Sequence, residues 1–183
     1  MVTFAQHDGI VPEEVGGPLV DLYAVVYAEP PYCEGPEQVH RFRTSLHEDA
    51  NRSGFTLVTA IENETLIGAT YGWSMPAGKW WSNADQPPRP DVLSAEKFAV
   101  MEWIVTPAKR GQGIGGALIR RLLDHRTEQY ATLASDPRSD ARAIYRKSGW
   151  RQVGVTKLSW GPEMDLLLLD LPQGHQGSRE EKQ

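Results

Sequence analysis

Cysteine is almost absent: Cys33 is the only one in 183 residues. That excludes an internal disulfide framework and any zinc site built on thiolate pairs. The five histidines, at positions 7, 40, 47, 125 and 175, make no H-x-x-x-H pair, so no metal site is expected. Basic charge is also in short supply, with 19 Lys and Arg against 24 Asp and Glu and a net charge of −5. A nucleic-acid binder builds its affinity on basic surface, so this class is set aside, and only a local basic patch is left open. No apolar run approaches the roughly 18 residues that a membrane span requires. Met1-Val-Thr-Phe lacks a basic segment leading into an apolar stretch, so no signal peptide is expected and the expected location is cytoplasmic.

The length suits one domain, expected over residues 1–172. Residues 173–183 contain no aliphatic or aromatic side chain with which to offset the entropy of ordering. They are expected to be a disordered tail.

Within 1–172, hydrophobic spacing predicts mixed α+β structure around one sheet. Residues 1–9 read as a strand. Val15, Leu19, Leu22 and Val26 recur at helical intervals after Pro12-Glu13-Glu14, and Pro30-Pro31 ends that helix. A second helix is expected over about 36–51. Strands at 55–61 and 66–73, joined by a short polar turn, read as an antiparallel hairpin. The proline-rich stretch 74–94, with Trp80-Trp81, is long enough to suggest a functional lid. Lys97–Val105 is apolar on both faces, as a central strand should be. A helix over 113–128 follows, with Ile114, Ala117, Leu118 and Leu122 inward. Then come a strand at 130–135, a helix at 138–148 ended by Gly149, and strands at 150–158 and 164–171.

Between the central strand and its helix stands Lys109-Arg110-Gly111-Gln112-Gly113-Ile114-Gly115-Gly116. Glycines let a backbone approach a ligand closely, and the first amides of a helix are unpaired donors at the positive end of its dipole. The segment therefore reads as a phosphate site, with Lys109 and Arg110 adding charge. The plainer reading is a tight turn. Gly111-x-Gly113-x-x-Gly116 also fits the dinucleotide-binding pattern, which would make a nucleotide-dependent oxidoreductase. However, five residues separate Val105 from the first glycine, and antiparallel hairpins flank the unit. No G-K-[ST] follows, so a nucleotide P-loop also fails.

At these residues the chain resembles the GCN5-related N-acetyltransferase (GNAT) superfamily. Arg110-x-x-Gly113-x-Gly115 is similar to that family's pyrophosphate motif, and Trp103-Ile104-Val105-Thr106-Pro107 to its strand end. Ala141-x-x-x-Tyr145-x-x-x-Gly149-Trp150 resembles a later family segment. The resemblance covers residues 55–171. It implies a twisted, mostly antiparallel sheet of about six or seven strands, flanked by about four helices. A splayed parallel strand pair would hold acetyl-coenzyme A. It further implies that Trp103, Ile104 and Val105 bind the pantetheine and acetyl carbonyl through their main chain. The turn from Arg110 through Gly111, Gln112, Gly113, Ile114 and Gly115 to Gly116 would bind the pyrophosphate, with Ala141 in the same site. Arg138 stands where many members have an asparagine touching coenzyme A.

The implied reaction is direct transfer of acetyl to a primary amine of a small molecule or peptide. The alternative is a non-catalytic acyl-coenzyme-A-binding module with the same fold. An alkylammonium of lysine type has a pKa of about 10.4, so a base is useful. Glu102 interrupts an apolar strand, where a carboxylate needs either a purpose or a partner, and both a base and a structural ion pair remain open. Glu96, at the strand entrance, reads as solvated. Tyr145 matches the family's general acid, while its helix position also suits a core aromatic. The acceptor site would be walled by the N-terminal helices, the 29–32 turn and the 74–94 loop. Trp80 and Trp81 either line that site or pack the loop onto the sheet. His40 and His47 share a helix face that surface exposure explains as well, and Cys33 has no helper histidine. Membrane partners are not expected. The acceptor's identity and a homodimer are left open.

Overall fold

The computed structural model describes residues 1–157 and 161–172. The expected tail at 173–183, and Leu158 at the end of one expected strand, lie outside them. The elements run β1 (Val2–Asp8), α1 (Glu13–Tyr27), α2 (Pro36–Ala50), β2 (Thr56–Glu62), β3 (Thr65–Met75), α3 (Pro90–Ser94) and β4 (Lys97–Val105). They continue as α4 (Ile114–Leu123), β5 (Tyr130–Ser135), α5 (Ala141–Lys147), β6 (Arg151–Lys157) and β7 (Glu163–Asp170). Seven strands form one sheet in the order β1-β2-β3-β4-β5-β7-β6, with β4 at its centre. Every pairing is antiparallel except β4 with β5.

Two apolar layers cover the sheet. On one face α4 sets Ile114, Leu118, Ile119 and Leu122 against Val58, Phe98, Val100 and Leu133. On the other, Val15, Leu19, Leu22 and Val26 of α1 pack with Phe42 and Leu46 of α2 over Leu57, Ala69, Tyr71 and Ile104. The 3.6-residue period thus delivers each helix's buried stripe as expected. Ile119 joins that of α4, and Ala117 is only partly covered.

Three expectations change. Helix α4 stops at Leu123 rather than 128, because Asp124 is extended (ψ 139°) and His125 takes φ 55°. Glu128 is instead buried, accepting from the Ser74 hydroxyl and the Arg126 guanidinium. Helix α5 begins at Ala141 rather than 138. Ser139 N–H closes a turn on Asp136 O, and the Ser139 hydroxyl accepts from Ala141 N–H. The end of α5 is as expected: Gly149 has φ +87°, its N–H donates to Arg146 O, and Trp150 N–H donates to Tyr145 O. This is the glycine-terminated pair of hydrogen bonds that satisfies the last carbonyls of a helix.

The third concerns residues 74–94. They carry α3 and dock along β6: Ala84 bridges Thr156, Asp85 N–H donates to Val155 O, and the Thr156 hydroxyl donates to Ser82 O. Trp81 Nε1 donates to Thr132 Oγ1 at 2.9 Å. The segment is therefore pinned to the sheet.

Candidate active site

Two irregularities in β4 create the site. First, its parallel pairing with β5 covers only Lys97–Ala99 against Tyr130–Thr132. Beyond Ala99 the strands part, and among the described residues the β5-facing amides and carbonyls of Val100–Ile104 have no strand partner, while Val105 O accepts from Arg110 Nε. Backbone groups left unpaired in a protein interior call for another partner.

Second, Tyr71 lies opposite Glu102 while Gly72 lies opposite Val100, so Met101 is an extra residue. Such a bulge reverses the alternation of side chains beyond it. Phe98 and Val100 face α4, whereas Met101 and Ile104 pack on the α1 side. Glu102 follows them, and its Oε2 accepts a hydrogen bond from Tyr27 Oη of α1 at 2.8 Å. Trp103 and Val105 return to the α4 face. Trp103 Nε1 donates to Gly115 O at 2.9 Å, tying the start of α4 to the central strand.

Between the parted strands lies a cavity of about 530 Å³. One wall is Val100–Val105 and the other Leu133–Ala134, with Ser139–Ala141, Ile144 and Tyr145 beyond. Arg110, Gly111, Gly113, Ile114, Gly115 and Gly116 line one end. Gly111 and Gly113 have φ of +76° and +79°, and a Cβ on either would meet nothing within 4 Å. Glycine is needed there for backbone conformation, and the space above it is open. Gly113 caps α4, so the amides of residues 113–116 are the unpaired donors of its first turn. Lys109 pairs with Glu62, and Arg110 Nη1 lies 2.8 Å from Glu29 Oε2.

The other end is acidic and phenolic. Burial pushes the Glu102 carboxyl up to about 8, and Glu34 and Asp49 add to the rise while Tyr27 opposes it. Burial, with Tyr32 and Glu102 facing it, raises Tyr145 well above an ordinary phenol. The Tyr145 ring sits 5.4 Å from Trp103 and 6.4 Å from Trp150.

Most of the residues singled out in the sequence therefore converge: Glu102, Trp103, Ile104, Val105, Ala141, Tyr145 and the glycine turn. Two side chains do not. Gln112 turns back toward Ala108 O at 3.5 Å, and Arg138 is spent on Asp136, Nη2 to Oδ2 at 2.6 Å. The ion pair considered for Glu102 is not formed among the described residues; its partner is a phenol. Trp80, Trp81, His40 and His47 do not line the cavity, and Cys33 is exposed. Tyr27 was not anticipated. It ends the buried α1 stripe just before the proline turn, and a polar-tipped aromatic there was the available signal. Among the described residues no cluster of ligands suits a metal ion, and no helix is long and apolar enough to cross a membrane.

A central strand parted from its parallel neighbour, with a glycine-capped helix at the opening, sets a cleft beside a row of free helix amides. The model of the acetyltransferase (GNAT) family matches residues 19–150, and the chain belongs to that family. The GCN5-like protein acetyltransferase Rv2170 of Mycobacterium tuberculosis is 28% identical over 119 residues, 58% of each chain. The chain thus spans little more than half the length of that curated relative. A GNAT-family acetyltransferase of Staphylococcus aureus shares the fold with a TM-score of 0.65 at 13% identity, over 94% of this chain and all of that one. The PaiA N-acetyltransferase of Thermoplasma acidophilum, solved in complex with coenzyme A, gives 0.60 at 13% identity over 93% and 99%.

Proposed function

We propose that residues 1–172 form one acetyltransferase domain that moves the acetyl group of acetyl-coenzyme A directly to a primary amine of a small molecule or peptide. The observation that carries this reading is that one cavity has an amide cradle at one end and Glu102 and Tyr145 at the other. The open space over Gly111 and Gly113 suits a pyrophosphate, which the amides of 113–116 and the Arg110 guanidinium would hold. The backbone of Val100–Ile104 that β5 leaves unpaired suits the amides of a pantetheine arm. When bound, acetyl-coenzyme A supplies an activated thioester with a thiolate leaving group.

The remaining work is proton management. An amine acceptor arrives as an ammonium and must lose a proton before its nitrogen can bond to the acetyl carbon. Glu102, held near 8 in a partly enclosed site, is matched to taking that proton around neutral pH. Tyr145, raised by burial, keeps its O–H and can donate it to the departing sulfur. The acidic end of the cavity also favours a cationic acceptor.

A panel of amines and peptides incubated with acetyl-coenzyme A, with release of free thiol as the readout, tests the proposal. Thiol release that depends on a particular amine, and acetylated product by mass spectrometry, are expected. Release at one slow rate regardless of amine would overturn it in favour of a binding module.

A further inference from the structure

We infer that Tyr27 is a positioning residue for Glu102: its hydroxyl fixes one carboxylate oxygen and sets the pH at which the other becomes available as a base. This rests on the role proposed for Glu102 above.

The hydrogen bond runs from Tyr27 Oη to Glu102 Oε2 at 2.8 Å and joins residues 75 apart in sequence. It exists because the Met101 bulge turns Glu102 toward α1. Tyr27 is itself held on both sides, 4.4 Å from the Tyr23 ring and 4.7 Å from that of Tyr32. A ring so wedged presents its hydroxyl in one direction.

Other groups face Glu102, and none can replace this donor. From α1, Tyr23 gives its proton to Glu34 at 2.6 Å. From β3, Tyr71 points its hydroxyl at Asp49 of α2, 3.4 Å away. Tyr145 of α5 and Tyr32 face Glu102 through its charge, and among the described residues neither hydrogen-bonds it. Glu34 and Asp49 are like charges that disfavour ionisation. Among the described residues Glu102 has no cationic partner, so the Tyr27 proton is its specific stabiliser. A hydrogen bond donated to the ionised form favours that form. Engaging Oε2 also leaves Oε1 as the oxygen free to take a proton from an acceptor.

The test is Tyr27→Phe, which keeps the wedged ring. The ionisation of Glu102 is followed in the unliganded protein by the carboxyl signals of isotope-labelled glutamate, with Glu102→Gln identifying the signal. The expected result is a midpoint about one pH unit higher than wild type. The acid limb of kcat/KM should move by the same amount, with the acetyl-coenzyme A Kd within about twofold of wild type. An unmoved midpoint would overturn the inference and leave Tyr27 as packing. Because the titration needs no turnover, it decides the matter even if no amine is acetylated. Should Tyr27→Phe fold poorly, Tyr27→Leu is titrated in the same way, and an unmoved Glu102 midpoint there would equally count against Tyr27.

Discussion

Arg110 reaches across the mouth of the cavity to Glu29, Nη1 to Oε2 at 2.8 Å, while its Nε donates to Val105 O at 3.3 Å. An internal carboxylate thus occupies the guanidinium beside the amide cradle. An arriving pyrophosphate must take that partner's place. The pair is half-exposed, so its own contribution is small, about 0–1 kcal/mol. Glu29→Gln should therefore tighten acetyl-coenzyme A binding by up to about fivefold. Arg110→Ala combined with Gly113→Ala should weaken it, since alanine at φ +79° strains the turn. Calorimetric titration of folded variants checks both, and an unchanged Kd in the double variant would remove the pyrophosphate assignment.

Tyr145→Phe keeps the ring that packs on Trp103 and Trp150 and removes only the hydroxyl. General acid help is worth about 10²–10⁴-fold in rate. We expect kcat to fall within that range, with little change in Tm or in the acetyl-coenzyme A Kd. Turnover within threefold of wild type would make this tyrosine a core residue.

Glu102 titrates near 8 in the folded chain, above the ordinary carboxylate value of 4.5. The base is therefore protonated below that pH, and kcat/KM should rise with pH to a plateau above it. Glu102→Gln should lower the rate most near neutral pH and least in alkali, where free amine is abundant. Linkage gives a second sign. A raised carboxyl contributes stability that is fully present below about 4.5 and is lost as pH rises through about 8. Melting curves should show Glu102→Gln gaining on wild type between about pH 4.5 and about pH 8 and running parallel to it above that. Curves parallel throughout would contradict the enclosed carboxyl.

Gly72 lies opposite the bulge, and a Cβ there would stand 2.2 Å from Ala99 O and 2.7 Å from Phe98 Cε1. Backbone cannot yield as a flexible side chain can. Gly72→Ala should cost stability at the upper end of the roughly 1–3 kcal/mol typical of overpacking. Because the strain falls on the register that aims Glu102, activity per folded molecule should fall too. Denaturant midpoints and rates measured on the same samples separate the two effects.

Trp81→Phe should lower Tm by about 2–4 °C, the effect of one hydrogen bond of about 1 kcal/mol in a chain of this size. The acetyl-coenzyme A Kd should not move, because Trp81 bonds Thr132 and does not line the cavity. A weakened Kd would return the 74–94 segment to the site.

What the sequence determined by itself was local. The period of Val15, Leu19, Leu22 and Val26 specified a helix and its buried side, because one face must leave water. The apolar runs at 98–101 and 103–105, broken only by Glu102, marked the central strand. The glycines from 111 to 116 marked a ligand-approaching helix start, because φ > 0 and an uncapped first turn are written in residue type. Gly149 ended a helix for the same kind of reason.

What only the tertiary structure decided was which way side chains face once strands pair. A one-residue bulge at Met101 cannot be seen in composition or period, since it arises from the pairing of β4 with β3. Yet it moves Glu102 from the α4 face to the α1 face and hands it a phenol from residue 27. The docking of 74–94 on β6 and the early stop of α4 at Leu123 have the same origin. Hydrogen bonds from residues far off in the chain, Thr156 to Ser82 and Ser74 to Glu128, outweigh local preference in both places.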